Sequence, residues 1–391
     1  MTHGPTVQSG PDSNPVPGAE ITPMADEATS SDSVPALGSV YFYLTEGCNL
    51  ACRHCWLGPQ FDQNGKTRAS LPLDLFKSVV SQGKALGMDR LKLTGGEPLL
   101  HPEIADILKV VREEAVELTL ETNGLLCTKE VAEEIASCNG PHVSVSLDGA
   151  DARTHEWVRG VESSFRAALQ GARNLAAAGV RPQVIMSLMR RNKKQVERVV
   201  RLAEDLGASS VKFNIVQPTA RGRKLHQTGE ALSIGELVEL GAWVENELSR
   251  RTLLPLVFSH PAAFRPLSKM IGRHECTGVC GVTGIIGVLA DGSYALCGIG
   301  KSVPELVFGH VEKDRLEDIW RNDPTLKEIR EGMPRRLQGV CGRCLMKELC
   351  HGSCRAQNYY ATKNLWSGFW YCEEARAMGL FPASRATPHA A

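Results

Sequence analysis

The chain has no apolar run approaching the ~20 residues of a membrane span, so no transmembrane helix is expected. No Lys or Arg precedes Arg53. The basic start of a secretory signal is therefore missing, and a cytoplasmic protein is expected. Neither charge is in excess: Lys plus Arg and Asp plus Glu number 44 each, which speaks against nucleic acid or an anionic membrane as partner. There is no internal repeat. Between Cys55 and Cys276 the only cysteines are Cys127 and Cys138, which have no partner at ligand spacing and read as plain thiols. The other 11 of the 13 cysteines fall into two groups, at 48–55 and 276–372. In a reducing compartment such grouping points to metal ligands or catalysts rather than disulfides. With 391 residues, 42% of them hydrophobic, the chain can bury a core of one large domain or two ordinary ones.

Residues 1–38 are rich in Pro, Gly, Ser and Asp and read as a disordered leader. Residues 373–391 read as a C-terminal tail, frayed over PASRATPHAA. From 39 to 215, SVYFYLT, RLKLT, VELTLET, PHVSVSLDG, QVIMSLM and SVKFNIV read as six strands alternating with amphipathic helices. Pro102 is placed in the first turn of the second helix. Such alternation implies right-handed βαβ units and an α/β fold with a parallel sheet, either open or curled into a partial barrel. Residues 216–275 form a bridge with a helix over roughly Ile234–Leu248 and a strand at LPLVF. Residues 276–372 carry the second cysteine group.

Cys48, Cys52 and Cys55, in TEGCNLACRHCW, follow the first strand at C-x3-C-x2-C spacing. Three thiolates can hold three corners of a four-iron cluster and leave the fourth iron open to a substrate or cofactor. An electron-transfer site is usually closed by four. The competing zinc knuckle would need His54 as its fourth ligand, and His54 sits too close to Cys55 for easy tetrahedral geometry. The pattern resembles the radical S-adenosylmethionine (radical SAM) superfamily. That resemblance implies a partial (β/α)6 TIM-like barrel with active residues at the carboxyl ends of its strands. It also implies an open iron that chelates the amino and carboxylate groups of S-adenosylmethionine. Reductive cleavage would give a 5′-deoxyadenosyl radical that takes hydrogen from substrate, with reduced flavodoxin or ferredoxin as electron donor.

Further motifs extend the likeness. Gly95-Gly96-Glu97-Pro98 directly follows the second strand; glycine there allows close backbone approach or positive φ, and Glu97 suits an ammonium group. Asn123, in Glu121-Thr122-Asn123-Gly124, is either a cofactor contact or a turn residue. Period-two alternation puts His142, Ser144, Ser146 and Asp148 on one strand face. By resemblance, Ser146 and Arg159 hold the methionine carboxylate and the ribose, Arg159 as a possible bidentate clamp, while Asp148 shapes the turn before Gly149. The run Arg190–Lys194 with Arg198 and Arg201, and Arg221-Gly222-Arg223-Lys224, read either as solvated surface or as docking sites for an acidic peptide.

The second group runs Cys276, Cys280, Cys297, Cys341, Cys344, Cys350, Cys354 and Cys372. Eight thiolates would close two four-iron clusters; two four-cysteine zinc sites are the rival. The spacing resembles the SPASM extension of radical SAM enzymes. That resemblance implies one auxiliary cluster on Cys276, Cys280, Cys297 and Cys354, another on Cys341, Cys344, Cys350 and Cys372, and three [4Fe-4S] clusters in all. Gly298 stands where the sulfatase-maturing branch has an aspartate, so formylglycine formation is not expected. The resemblance further implies a ribosomally made precursor peptide as substrate, modified oxidatively by crosslinking or side-chain oxidation. The leader is too short for a winged-helix recognition domain, so a separate leader-binding protein is a possible partner. The alternatives are a small molecule (aminocyclitol, sugar or porphyrin carboxylate) and, remotely, a zinc-rich interaction protein without activity.

Overall fold

The computed structural model describes Met1, residues 34–61 (backbone alone at Gln60 and Phe61), 69–270 and 280–387. The leader reading for 2–33 and the ligand reading for Cys276 lie outside the described residues; at 37–38 the leader reading fails, because Leu37 is fully buried and the Leu37 and Gly38 amides donate to Leu86 O and Gly284 O, both at 2.9 Å. Pro35–Ala391 form one compact unit. The barrel elements follow in chain order: β1 (Ser39–Tyr43), α1 (Leu73–Ala85), β2 (Arg90–Thr94), α2 (Ile104–Glu113), β3 (Glu117–Thr122) and α3 (Lys129–Ala136). Then come β4 (Asn139–Ser146), α4 (Ala152–Arg159), α5 (Ser164–Ala177), β5 (Gln183–Leu188), α6 (Val196–Asp205) and β6 (Ser210–Ile215). All six predicted strands are present. The helix after β2 begins at Ile104 with Glu103 as its N-cap, so Pro102 lies just ahead of it and not in its first turn.

One rule builds these units: apolar residues on one face of each strand pack outward on helices, and polar ones face inward. Phe42, Leu91, Leu93, Leu118, Leu120, Val143 and Val145 are buried, and Phe42 meets Phe76 of α1 at 4.6 Å between ring centroids. Helix α6 answers with Val196, Val199, Val200 and Ala203, the i, i+3, i+4, i+7 stripe of a core-facing helix. Each fully buried aliphatic or aromatic side chain contributes about 1.5–3 kcal/mol.

After β6 come α7 (Gly222–Gln227), α8 (Ile234–Asn246, started by a Ser233/Glu236 capping box) and β7 (Leu256–Phe258). The cysteine-rich part then adds β8 (Ile285–Val288), β9 (Ser293–Ala295) and β10 (Val307–His310). These join the same sheet, whose order is β10-β9-β8-β1-β2-β3-β4-β5-β6-β7. From β8 to β7 every pairing is parallel; β8–β9 and β9–β10 are antiparallel. The sheet curls. Tyr41 of β1 and Lys212 of β6 line one cavity although five strand spacings of ~4.8 Å would hold them about 24 Å apart on a flat sheet. The tail is tied down as far as Thr387 and is not frayed there: Leu345 N–H donates to Arg385 O, and Thr387 N–H to Arg343 O, both at 2.9 Å.

Candidate active site

The loop after β1 carries Cys48, Cys52 and Cys55, and α4 holds it in place. The Ala51 and Arg53 amides donate to Arg159 O (3.0 Å) and Val158 O (2.9 Å) at the end of α4, using carbonyls a helix C-terminus leaves unpaired. Gly160 caps α4 with φ 73°, and a Cβ there would stand 2.8 Å from Ala51 O. Arg53 Nε donates to Trp157 O at 2.8 Å. Arg221, read from the sequence as solvated surface or a docking site for an acidic peptide, donates to Cys52 O and Pro59 O.

All three thiols line a cavity of about 180 Å³, together with Gly95, Gly96, Glu97, Asn123, Ser146 and Arg159. The structure thus brings every described residue read as part of a S-adenosylmethionine pocket to one place. The reason for the glycines is specific. Gly95 has φ 128°, and a Cβ on Gly96 would lie 1.8 Å from Gly47 O. Gly96 N–H donates to Thr45 O (2.8 Å) and Glu97 N–H to Gly47 O (2.9 Å). The close approach is therefore to the cysteine loop itself.

Glu97 is 1% exposed. Its carboxylate accepts from Leu99 N–H (3.2 Å), Thr122 Oγ1 (2.6 Å) and Asn123 N–H (2.8 Å). Burial nevertheless pushes its carboxyl up to about 7, against those hydrogen bonds and the Arg159 charge. Asn123 donates through Nδ2 to Asn49 Oδ1 (2.7 Å) and accepts from Leu125 N–H (3.0 Å), so its side chain locks the loop and its own turn. Arg159 Nε meets Asp148 Oδ2 at 2.7 Å, with side-chain exposures of 8% and 0%. Its Nη1 reaches Cys52 Sγ at 3.5 Å. Asp148 is therefore the buried counter-ion of Arg159 rather than only a turn residue, and only the Nη groups of Arg159 remain for a ligand.

A second chamber of about 340 Å³ is lined by Cys280, Cys297 and Cys354 with Tyr41, Lys92, Glu121, Lys212 and others. Cys341, Cys344, Cys350 and Cys372 line a separate small pocket. Arg355, fully buried, feels the charges of Cys341, Cys354 and Cys350 and so sits near both groups. Among the described residues, no three or more His, Cys, Asp or Glu side chains are grouped to hold a single metal ion. Burial pushes the thiols of Cys48 and Cys280 up to about 12 and that of Cys341 to about 11. Thiols so buried and mutually repelling become thiolates when a metal centre offsets the charge, and the all-sulfur donor set suits iron–sulfur clusters.

Gly298 packs on Tyr43: a Cβ there would lie 2.3 Å from Tyr43 Cε1 and 2.7 Å from Leu57 Cδ2. An aspartate has no room at that position. The basic run is largely paired off, Arg190 and Lys193 with Glu236, Arg198 with Asp151 and Arg201 with Glu197. Cys127 and Cys138 are buried. No helix among the described residues is long and apolar enough to cross a membrane.

Comparison with known proteins agrees with this geometry. The radical SAM superfamily matches residues 42–203, and SPASM, an iron–sulfur cluster-binding domain, matches 276–345. The AdoMet-dependent heme synthase of Methanosarcina barkeri is 29% identical over 348 residues, covering 84% of this chain and 94% of that protein. The mycofactocin maturase MftC of Mycobacterium tuberculosis is 28% identical over 323 residues, covering 81% and 78%. The crystal structure of Streptococcus suis SuiB bound to precursor peptide SuiA shares the fold at TM-score 0.66 and 17% identity, covering 87% and 76%. The curled parallel sheet, the three thiols beside Gly95-Gly96-Glu97 and the second thiol region therefore belong to a radical SAM enzyme with a SPASM domain, one that uses S-adenosylmethionine and iron–sulfur chemistry.

Proposed function

We propose that this enzyme oxidatively modifies a ribosomally made peptide. One observation carries the reading. A cavity of about 540 Å³ at the barrel mouth shares Leu57, Pro59, Gly95 and Gly96 with the cavity of the cysteine triad. That cavity in turn shares His54, Trp56, Thr94, Glu121, Ser187 and Asn214 with the inner chamber. An open run of adjoining cavities suits an extended chain laid across the mouth with one residue reaching inward. MftC, a maturase, and SuiB, seen with its precursor peptide, support this reading.

In this reading Cys48, Cys52 and Cys55 hold the cluster that binds S-adenosylmethionine, Glu97 receives its amino group, and Ser146 and Arg159 receive its carboxylate and ribose. Cys276, Cys280, Cys297 and Cys354 hold one auxiliary [4Fe-4S] cluster; Cys341, Cys344, Cys350 and Cys372 hold the other. When bound, the cofactor set supplies the electron and the 5′-deoxyadenosyl radical. Flavodoxin or ferredoxin serves as reductant, and a separate protein holds the leader. The heme synthase relative favours a second reading, a tetrapyrrole carboxylate, for which Lys92 and Lys212 line the chamber.

The deciding experiment is the intact mass of candidate peptides co-expressed with the enzyme, with the Cys48/Cys52/Cys55→Ala variant as control. Loss of two hydrogens that depends on the triad supports peptide maturation. An unchanged peptide despite 5′-deoxyadenosine release, with conversion of a porphyrin carboxylate, would replace the first reading with the second.

Glu97 gives this site a pH signature. With its carboxyl near 7, Glu97 is about half protonated at neutral pH, and only its carboxylate form accepts hydrogen bonds from the cofactor's amino group. Binding of S-adenosylmethionine is expected to release a proton and to weaken up to about tenfold per pH unit as pH falls below about 7. Titration calorimetry in two buffers of different ionisation heat measures this, and Glu97→Gln should lower the number of protons released. Heats independent of buffer in the wild type would rule out the Glu97 assignment.

A further inference from the structure

We propose that Glu121 is the base that takes the substrate proton during oxidation, held in place by Lys92. The assignment rests on the oxidative reading above. Glu121 lines both the cavity of the cysteine triad and the chamber of Cys280, Cys297 and Cys354. It is the only carboxylate among the described residues lining that chamber. On the triad side its companion acid, Glu97, already accepts three hydrogen bonds. Lys92 Nζ lies 2.5 Å from Glu121 Oε1, and Thr94 Oγ1 lies 3.3 Å from Oε2. Both charged side chains keep some exposure, 37% for Glu121 and 20% for Lys92, and the chamber they line gives a substrate a route to the carboxylate. Position and openness make Glu121 more than a structural ion pair.

The chemistry needs such a group. Taking one hydrogen atom from a C–H bond leaves a carbon radical. Completing a two-electron oxidation to a C=X or new C–X bond removes one more electron and the proton on X. The electron goes to an oxidant of the iron–sulfur class that the Cys280, Cys297 and Cys354 thiols suit; the X–H proton goes to a Glu121 carboxylate oxygen. The aspartate that could do this beside Cys297 is absent, and Tyr43 fills its place. Glu121 comes from β3 instead.

Its surroundings keep it ionised. Burial alone would push its carboxyl up, but Lys92 and Lys212, with the hydrogen bonds from Lys92 and Thr94, hold it below the usual carboxylate range. Tyr41, Tyr43 and His142 are the other titratable groups that feel its charge. Cys280 and Cys297 act in turn on Tyr41 and Lys92. A weakly basic carboxylate suffices, because a radical that has lost an electron is a cation whose X–H is strongly acidic.

The test compares wild type, Glu121→Gln and Glu121→Asp with a co-purified peptide in D2O. It reads 5′-deoxyadenosine, peptide mass, S-adenosylmethionine affinity and the freeze-quenched organic radical by EPR. With Glu121→Gln, S-adenosylmethionine binding and cleavage should persist while oxidised product falls about a hundredfold or more. The organic radical should accumulate, and peptide recovered after the radical takes one electron from the added reductant and a deuteron from solvent should carry one deuterium. Glu121→Asp should restore part of the product. Product formation by Glu121→Gln within about threefold of wild type would overturn this assignment alone. Loss of S-adenosylmethionine binding in both variants would overturn it too, placing Glu121 in the cofactor pocket. A wild-type enzyme that cleaves S-adenosylmethionine yet leaves every peptide unoxidised would overturn the oxidative peptide reading and this assignment with it.

Discussion

On the three-cluster assignment proposed above, replacing Cys48, Cys52 and Cys55 together with alanine is expected to remove about four of about twelve irons and all S-adenosylmethionine cleavage. The partition follows from where the thiols lie. The triad lines its own cavity, and the described thiols of the second region line two others. Removing one group therefore leaves the other two intact, and the remaining iron should be spectroscopically unchanged. The fold should survive, because the loop is tied by backbone bonds to α4 and by Arg221 rather than by its thiols. Iron and sulfide analysis with 5′-deoxyadenosine chromatography measures both effects. Cleavage that survived the replacement would contradict the whole reading of the site.

The strands of the barrel were legible because short runs such as RLKLT and ELTLET alternate buried apolar with less buried polar residues and end at turn residues. RLKLT maps to Arg90–Thr94 without a residue's error. The hairpin of β8 and β9 was missed, although its signal is plain afterwards: Asp291-Gly292 between apolar runs, with φ 87° at Gly292. Its cysteine spacing drew the reading away from its turn chemistry. Helix α4 was missed because ARTHEWVR has a weak apolar stripe, yet Asp151 caps it, accepting from Thr154 N–H at 3.0 Å. Without α4, Asp148 had no visible partner, since only that helix carries Arg159 back to it. Glu121 and Lys92 were likewise invisible in role. Alternation places each on the polar face of its strand, but only the curl of the sheet brings β3 into the chamber of thiols more than 150 residues away.

Asp148→Asn should therefore be among the most costly single changes in the barrel. The Asp148 carboxylate meets Arg159 Nε at 2.7 Å and accepts from Ser187 N–H at 2.6 Å, with Asp148 fully buried. Removing one charge of a buried pair leaves the other uncompensated, at about 3–5 kcal/mol. The freed guanidinium also has Cys52 Sγ within 3.5 Å, so the cysteine loop should loosen and iron retention should fall with stability. The pH dependence carries a sign. Burial pushes the Asp148 carboxyl up, but Arg159 and its other partners more than offset this, so it ends below its ordinary value. A carboxyl depressed on folding stabilises the native state above its unfolded value and loses that contribution as pH falls through its folded value. Wild type should therefore lose this share of stability only in acid below about pH 4, whereas Asp148→Asn lacks it throughout. Chemical denaturation at neutral and acid pH measures the difference. Stabilities within about 0.5 kcal/mol of each other at neutral pH would mean that the pair is not the anchor of α4 and its loop. A large neutral-pH loss that narrows in acid would place that anchor in the Asp148–Arg159 contact, and the order of the cysteine loop with it.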